Sequence, residues 1–180
     1  AYGRDIAYRL RETELTVERL VDIREMVEVV DVGPGLVHAG EGWEVHADYV
    51  DHGHRLGFTT EDWPCLGYRV EAGVKVLAIS GDAVESPGLQ RIASGVDLLV
   101  QCCYLAGEEI VDDDLRLIAD HVLASSTMVG KIVARAGVKR LALVHIKEKS
   151  DELLRSMVEE IRRDFDGEVI VGEDLMEIEV

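Results

Sequence analysis

The run Lys75-Val76-Leu77-Ala78-Ile79-Ser80 is almost wholly apolar and stops abruptly at Gly81-Asp82. A short apolar run bounded by a glycine turn reads as a strand buried on both faces. Just upstream, Cys65-Leu66-Gly67-Tyr68-Arg69-Val70-Glu71 reads as a second strand, and Ala72-Gly73 offers a tight turn between the two. The pair therefore forms a β-hairpin whose second arm is central. Beyond Asp82 the pattern changes to strand and helix in alternation. A hairpin that feeds a β/α series restricts the chain to a layered α/β fold, with a mixed sheet and flanking helices.

The alternation predicts a short helix at 89–93, a buried strand at 96–100, an acidic helix at 107–121 and another from Met128 to Ala136. A strand follows at Arg140–Val144. Asp151 to Phe165 is an amphipathic helix with Leu153, Leu154, Met157, Val158 and Ile161 on one face. Two strands, 168–171 and 175–180, close the chain. Before the hairpin, Thr16–Ile23 reads as a short amphipathic helix. Val27–Val32 reads as a strand stopped by Gly33-Pro34-Gly35, Trp43–Val50 as a further strand, and residues 53–64 as a loop. With no internal repeat or linker, 1–180 is expected to be a single domain.

The formal net charge of −17 disfavours nucleic-acid phosphates, whose binding depends on lysine and arginine displacing counterions. A small-molecule substrate suits it better. No apolar run approaches the roughly 18–20 residues that span a membrane. Three cysteines, Cys65, Cys102 and Cys103, make no disulfide framework, which points to a reducing, cytoplasmic setting. Cys102 and Cys103 would face opposite sides of a strand, as core residues rather than joint ligands of one metal.

Three polar residues stand directly after apolar strands: His52, Asp82 and His145. Strand ends are where α/β sheets present ligand groups on a rigid frame. Imidazole and carboxylate suit zinc, iron or manganese. Taken singly, each has a plainer reading, as a surface histidine or a turn. His54 could back up His52 or simply face solvent. His38 and His46 are expected at exposed positions, and Trp63 is expected to pack over the core or line a pocket.

The runs Tyr68–Glu71, Val76–Asp82, Gly95–Val100, Ala136–His145 and Glu173–Ile178, in that order and separation, resemble the metallo-β-lactamase superfamily, on its ribonuclease Z and arylsulfatase-like branch. The resemblance covers roughly residues 27–180. It implies part of an αββα sandwich carrying a two-metal site, commonly zinc. It gives His52 the role of the middle histidine ligand, Asp82 that of the aspartate bridging both metals, and His145 that of the last histidine ligand. His121, near the family's His-Ser/Thr element, would be the catalytic residue that helps protonate the leaving group; its plainer reading is a histidine on a helix surface.

The sequence also departs from the family. Its H-x-H-x-D-H segment is not among these 180 residues, Ala83 replaces the threonine of Ser-Gly-Asp-Thr, and Gln101-Cys102 stands where ribonuclease Z proteins have His-Glu. The chain is thus expected to be the C-terminal portion of a metal-dependent hydrolase of phosphoesters or sulfoesters, weak or inactive alone. The alternative is a non-catalytic assembly protein, a homo-oligomer that dimerises through an uncovered sheet face.

Overall fold

The computed structural model describes Arg11 and residues 28–180. The chain divides into two compact units, Ala1–Val32 and Gly33–Val180. The helix expected at Thr16–Ile23 lies outside the described residues. In the first unit, residues 28–32 form no strand and are exposed, which corrects the strand expected at Val27–Val32.

The second unit carries seven strands in sequential order: β1 (Gly35–Gly40), β2 (Trp43–Tyr49), β3 (Leu66–Ala72), β4 (Lys75–Ile79), β5 (Leu98–Cys102), β6 (Arg140–Val144) and β7 (Glu168–Val171). β1 to β4 pair antiparallel, and β4 to β7 pair parallel. The switch falls at β4, where the apolar run placed it. The Gly33-Pro34-Gly35 segment opens β1 instead of closing an earlier strand.

Four helices connect the strands: α1 (Pro87–Ala93), α2 (Asp113–His121), α3 (Ser126–Ala136) and α4 (Asp151–Ile161). The parallel pairs need such crossovers, because a tight turn cannot reverse the chain twice. Leu89 and Ile92 of α1, Val129, Ile132 and Val133 of α3, and Met157 and Ile161 of α4 share one core with Ala78, Leu99, Leu141 and Leu143 of the sheet. Those sheet residues face one way by register and alternation. Leu77, Ile79, Leu98, Val100, Ala142 and Val144 face the other way, and that face is apolar too.

Several boundaries differ from expectation: the helices expected at 89–93 and 128–136 each begin two residues earlier, and the one expected at 151–165 ends at Ile161. The acidic helix is shorter, because Asp112 caps α2 by accepting the Leu115 N–H at 2.8 Å. Before it, Gly107–Glu109 forms a separate 3-10 turn in which Glu109 reaches back to the Ala106 N–H. β5 starts two residues later than expected, since the Asp97 carboxylate accepts the Val76 N–H at 2.8 Å and sits at the mouth of the ladder. Residues 175–180 form no strand. Leu175 takes a left-handed conformation (φ 65°) and is fully exposed, which breaks the extended path that the alternation suggested. Among the described residues, no helix is long and apolar enough to cross a membrane.

Candidate functional site

The Ser80-Gly81-Asp82 turn exists because Gly81 adopts φ +62°, and a Cβ there would lie 3.3 Å from the Leu66 carbonyl. That turn lifts Asp82 out of the end of β4. His145 leaves β6 in the same direction, itself in a left-handed conformation at φ 52°. The two side chains meet beyond β5, the strand between theirs. The His145 Nδ1–H donates to Asp82 Oδ1 over 2.6 Å, and each side chain is nearly half exposed. The sequence put both residues at strand ends, and the sheet brings them into contact.

His52 sits past the end of β2. Its Nδ1 donates to the Val122 carbonyl at 2.8 Å, which leaves Nε2 as the nitrogen with a free lone pair. Metal-binding histidines are commonly oriented by such a bond from the other ring nitrogen. Val122 follows the last residue of α2, and the neighbouring His121 carbonyl accepts the Gly53 N–H at 2.7 Å. These two bonds dock the end of α2 against the 52–53 turn. His121 is therefore carried to the same edge as His52. Its ring Nδ1 is shielded from solvent and has no hydrogen-bond partner among the described residues.

His54 does not back up His52. Its Nδ1 accepts the His52 N–H at 3.1 Å, and its Nε2–H donates to the Trp63 carbonyl at 2.7 Å, so both ring nitrogens are occupied. Asp51 lies 3.4 Å from that Nδ1, but a nitrogen that accepts from His52 has no proton for it. Asp51 pairs instead with Arg55, 2.9 Å away. Trp63 does not pack over the core: it is 53% exposed, on a loop that also exposes Leu56 and Phe58. Large aromatics normally bury most of their area, so this loop presents unusual apolar surface. His38 lies in β1 against the Trp43 ring, and His46 pairs with Glu44 on β2.

Zinc, iron and manganese all suit imidazole and carboxylate donors, so His52, Asp82 and His145 fit a metal in kind. In number they supply only part of a set. Among the described residues, no group of three or more histidine, cysteine, aspartate and glutamate side chains could hold a metal ion. Cys65 is partly buried, with its thiol pushed up by burial and then by the nearby charges of Asp51 and Asp82. Cys102 and Cys103 are fully buried, as core positions require.

Sequence reasoning missed Tyr104. Its ring meets His145 edge-on, with centroids 5.7 Å apart. The signal was available, because Tyr104 follows β5 much as His145 follows β6. It also missed the Val122 carbonyl, which no side-chain pattern could reveal.

No protein-family model matches the chain. The ribonuclease Z of Mycobacterium tuberculosis (strain ATCC 25618 / H37Rv) is 27% identical over 193 residues, a match that takes in 100% of this chain and 62% of the relative. The ribonuclease Z of Mycolicibacterium paratuberculosis is 28% identical over 187 residues, covering 100% and 61%. The chain thus spans less than two thirds of the length of these relatives. Among solved structures, the metallo-β-lactamase fold protein YhfI from Bacillus subtilis superposes with a TM-score of 0.61 at 18% identity, over 81% of this chain and 52% of that one. Human tRNase Z, short form, gives a TM-score of 0.54 at 21% identity, over 78% and 43%. At such identities the structural likeness speaks for the fold alone.

Proposed function

We propose that this chain, which belongs to the metallo-β-lactamase superfamily, contributes His52, Asp82 and His145 to the metal site of a phosphoester hydrolase. The contact between Asp82 and His145 carries this reading. Two donors that the sequence set 63 positions apart meet at the carboxyl end of a parallel sheet, where α/β proteins bind ligands. His52, Asp82 and His145 would be donors to a zinc ion, which when bound would supply a water of lowered pKa and polarise a phosphoryl oxygen. The chain's own residues hold and orient the donors: Val122 fixes the ring of His52, and Tyr104 stands against that of His145. His121 is our candidate for the group that protonates the leaving group, a reading supported by a ring nitrogen that is shielded from solvent and has no hydrogen-bond partner among the described residues.

Relatives named ribonuclease Z support phosphoester chemistry over sulfoester chemistry. The net charge of −17 favours a small phosphoester over a long polyphosphate chain. The test measures zinc bound by the purified chain, then hydrolysis of a chromogenic phosphodiester and of an RNA oligonucleotide. Zinc uptake that disappears in Asp82→Ala is the expected result. A chain that takes up no zinc, or an Asp82→Ala variant that retains it, ends the reading. Cleavage of RNA in preference to the small diester overturns the substrate assignment alone.

Homo-oligomerisation is a second reading, supported by the partly exposed apolar residues Ile79 and Val144 on the sheet face opposite the shared core. Sedimentation tests it directly: a monomer at high micromolar concentration removes it.

A further inference from the structure

A buried charged cluster lies beneath the loop that carries His145. The side chain of Lys149 is wholly buried, and its Nζ donates to Glu109 Oε2 over 2.6 Å. The same Glu109 oxygen accepts the Ala106 N–H at 2.7 Å. Glu160, also buried, accepts the Gly107 N–H at 2.7 Å and the Ser126 hydroxyl. One ammonium and two carboxylates thus lie near enough to the buried Cys103 thiol to act on it through their charges, while burial holds that thiol un-ionised. Lysine and glutamate are almost never fully buried unless paired. The fold places this cluster where it joins two segments. One runs from Tyr104 to Glu109, the other from His145 to Lys149.

His145 needs something to hold it. A non-glycine residue in the left-handed region is strained, and such strain persists only when the surroundings determine the conformation from both sides. On its N-terminal side, β6 is tied by the Cys103 N–H to the Val144 carbonyl and by the Gly172 N–H to the Leu143 carbonyl. On its C-terminal side, Lys147 and Glu148 are exposed. Ile146 packs partly against the core, and the next fixed point is Lys149. Its partner Glu109 closes the segment that begins at Tyr104, whose ring faces His145.

We propose that Lys149 is a positioning residue for His145: its buried bond to Glu109 fixes the 145–149 segment so that the His145 Nδ1–H is held on Asp82. The inference concerns the ring geometry of His145, and its readout does not depend on hydrolysis or on a bound metal. It survives if the hydrolase reading fails.

The experiment records two-bond 1H–15N correlation spectra of the histidine rings in the full chain, which report the nitrogen that carries the proton. In the unsubstituted protein, with the ring uncharged, His145 is expected as the Nδ1–H tautomer. Lys149→Met is expected to shift it toward the Nε2–H form that free imidazole favours, and Lys149→Arg to restore most of the Nδ1–H signal. Ser150→Ala, which removes the cap of α4 one residue away, destabilises the same region without breaking the ion pair and is expected to leave the tautomer unchanged. If Lys149→Met does not fold, the double variant Lys149→Met/Glu109→Gln replaces it: no buried charge is left unpaired, an oxygen remains for the Ala106 N–H, and the bond to residue 149 stays broken. A folded Lys149→Met or Lys149→Met/Glu109→Gln variant with an unchanged His145 tautomer overturns the proposal. So does a Ser150→Ala variant that loses the Nδ1–H form as fully.

Discussion

The His145 Nδ1–H donates to Asp82 Oδ1 over 2.6 Å while both side chains remain open to solvent, 47% and 42% exposed. A polar contact in that setting adds only about 0–1 kcal/mol to stability, since water competes for both partners. Asp82→Asn and His145→Gln should therefore each lower unfolding free energy by less than about 1 kcal/mol in urea titrations. The same variants should lose zinc uptake. A large stability loss with zinc uptake intact would make the pair a structural bond.

Asp48 at the end of β2 is clasped by Arg91 of α1, with Nε to Oδ2 at 2.6 Å and Nη2 to Oδ1 at 3.1 Å. The Arg91 hydrogen bond, and then its charge, hold the Asp48 carboxyl below the usual aspartate range against the opposing effect of burial. A carboxyl that binds its proton less readily when folded stabilises the protein above the unfolded pKa of about 3.9. That contribution fades as pH falls from there through the lower folded value. Asp48→Asn should remove this part of the acid-induced loss. Comparing urea midpoints at pH 6 and pH 3, the variant should fall less than the parent. An equal fall in both would show that the clasp does not distinguish folded from unfolded chain.

The hairpin, the switch at β4 and the core face of α4 were legible because apolar periodicity reports burial directly. The strand-end residues Asp82 and His145 were legible as candidates, and the family resemblance joined them. What could not be read was set by contacts between distant backbone segments. β1 is short, glycine-bounded and exposed along most of its length, so it leaves no apolar signature. The alternation at 175–180 suggested a strand, yet a strand exists only where a neighbour offers its ladder. His54 resembled a spare ligand until the His52 N–H and the Trp63 carbonyl claimed its two nitrogens. His52 itself depends on the Val122 carbonyl, 70 positions away, which carries no side-chain signal.

The three thiols should differ in reactivity for one shared reason. Burial pushes the thiol of each upward, and for Cys65 the charges of Asp51 and Asp82 push further the same way. Since the thiolate is the reacting form, all three should react more slowly than a free thiol at neutral pH. Cys65 is only partly buried and should react first, while Cys102 and Cys103 react only on unfolding. Ellman titration in buffer and in denaturant, with Cys65→Ser as the control, separates the two classes. Prompt labelling of two or more thiols in buffer would contradict the burial of the Cys102-Cys103 pair.

Gly88, in the first turn of α1, lies against the end of β2. A Cβ built there would sit 1.8 Å from the Tyr49 carbonyl oxygen and 3.3 Å from Asp48 Oδ1. In an open helix, Gly→Ala gains about 1 kcal/mol from backbone entropy. Here the obstacle is main chain rather than the end of a flexible side chain, so α1 or β2 must move to admit the methyl group. Overpacking of that kind costs about 1–3 kcal/mol, and a contact this short belongs at the upper end. Steric cost should outweigh propensity, and Gly88→Ala should be destabilising by about 1–2 kcal/mol in urea unfolding. The displacement should also pass to the clasp, since Asp48 and Arg91 lie on the two elements being pushed apart. Gly88→Ala and Asp48→Asn are then non-additive, and the double variant is less destabilised than the two singles together. Additive effects, or a Gly88→Ala variant more stable than the parent, would mean that α1 sits farther from β2 than the 1.8 Å approach requires.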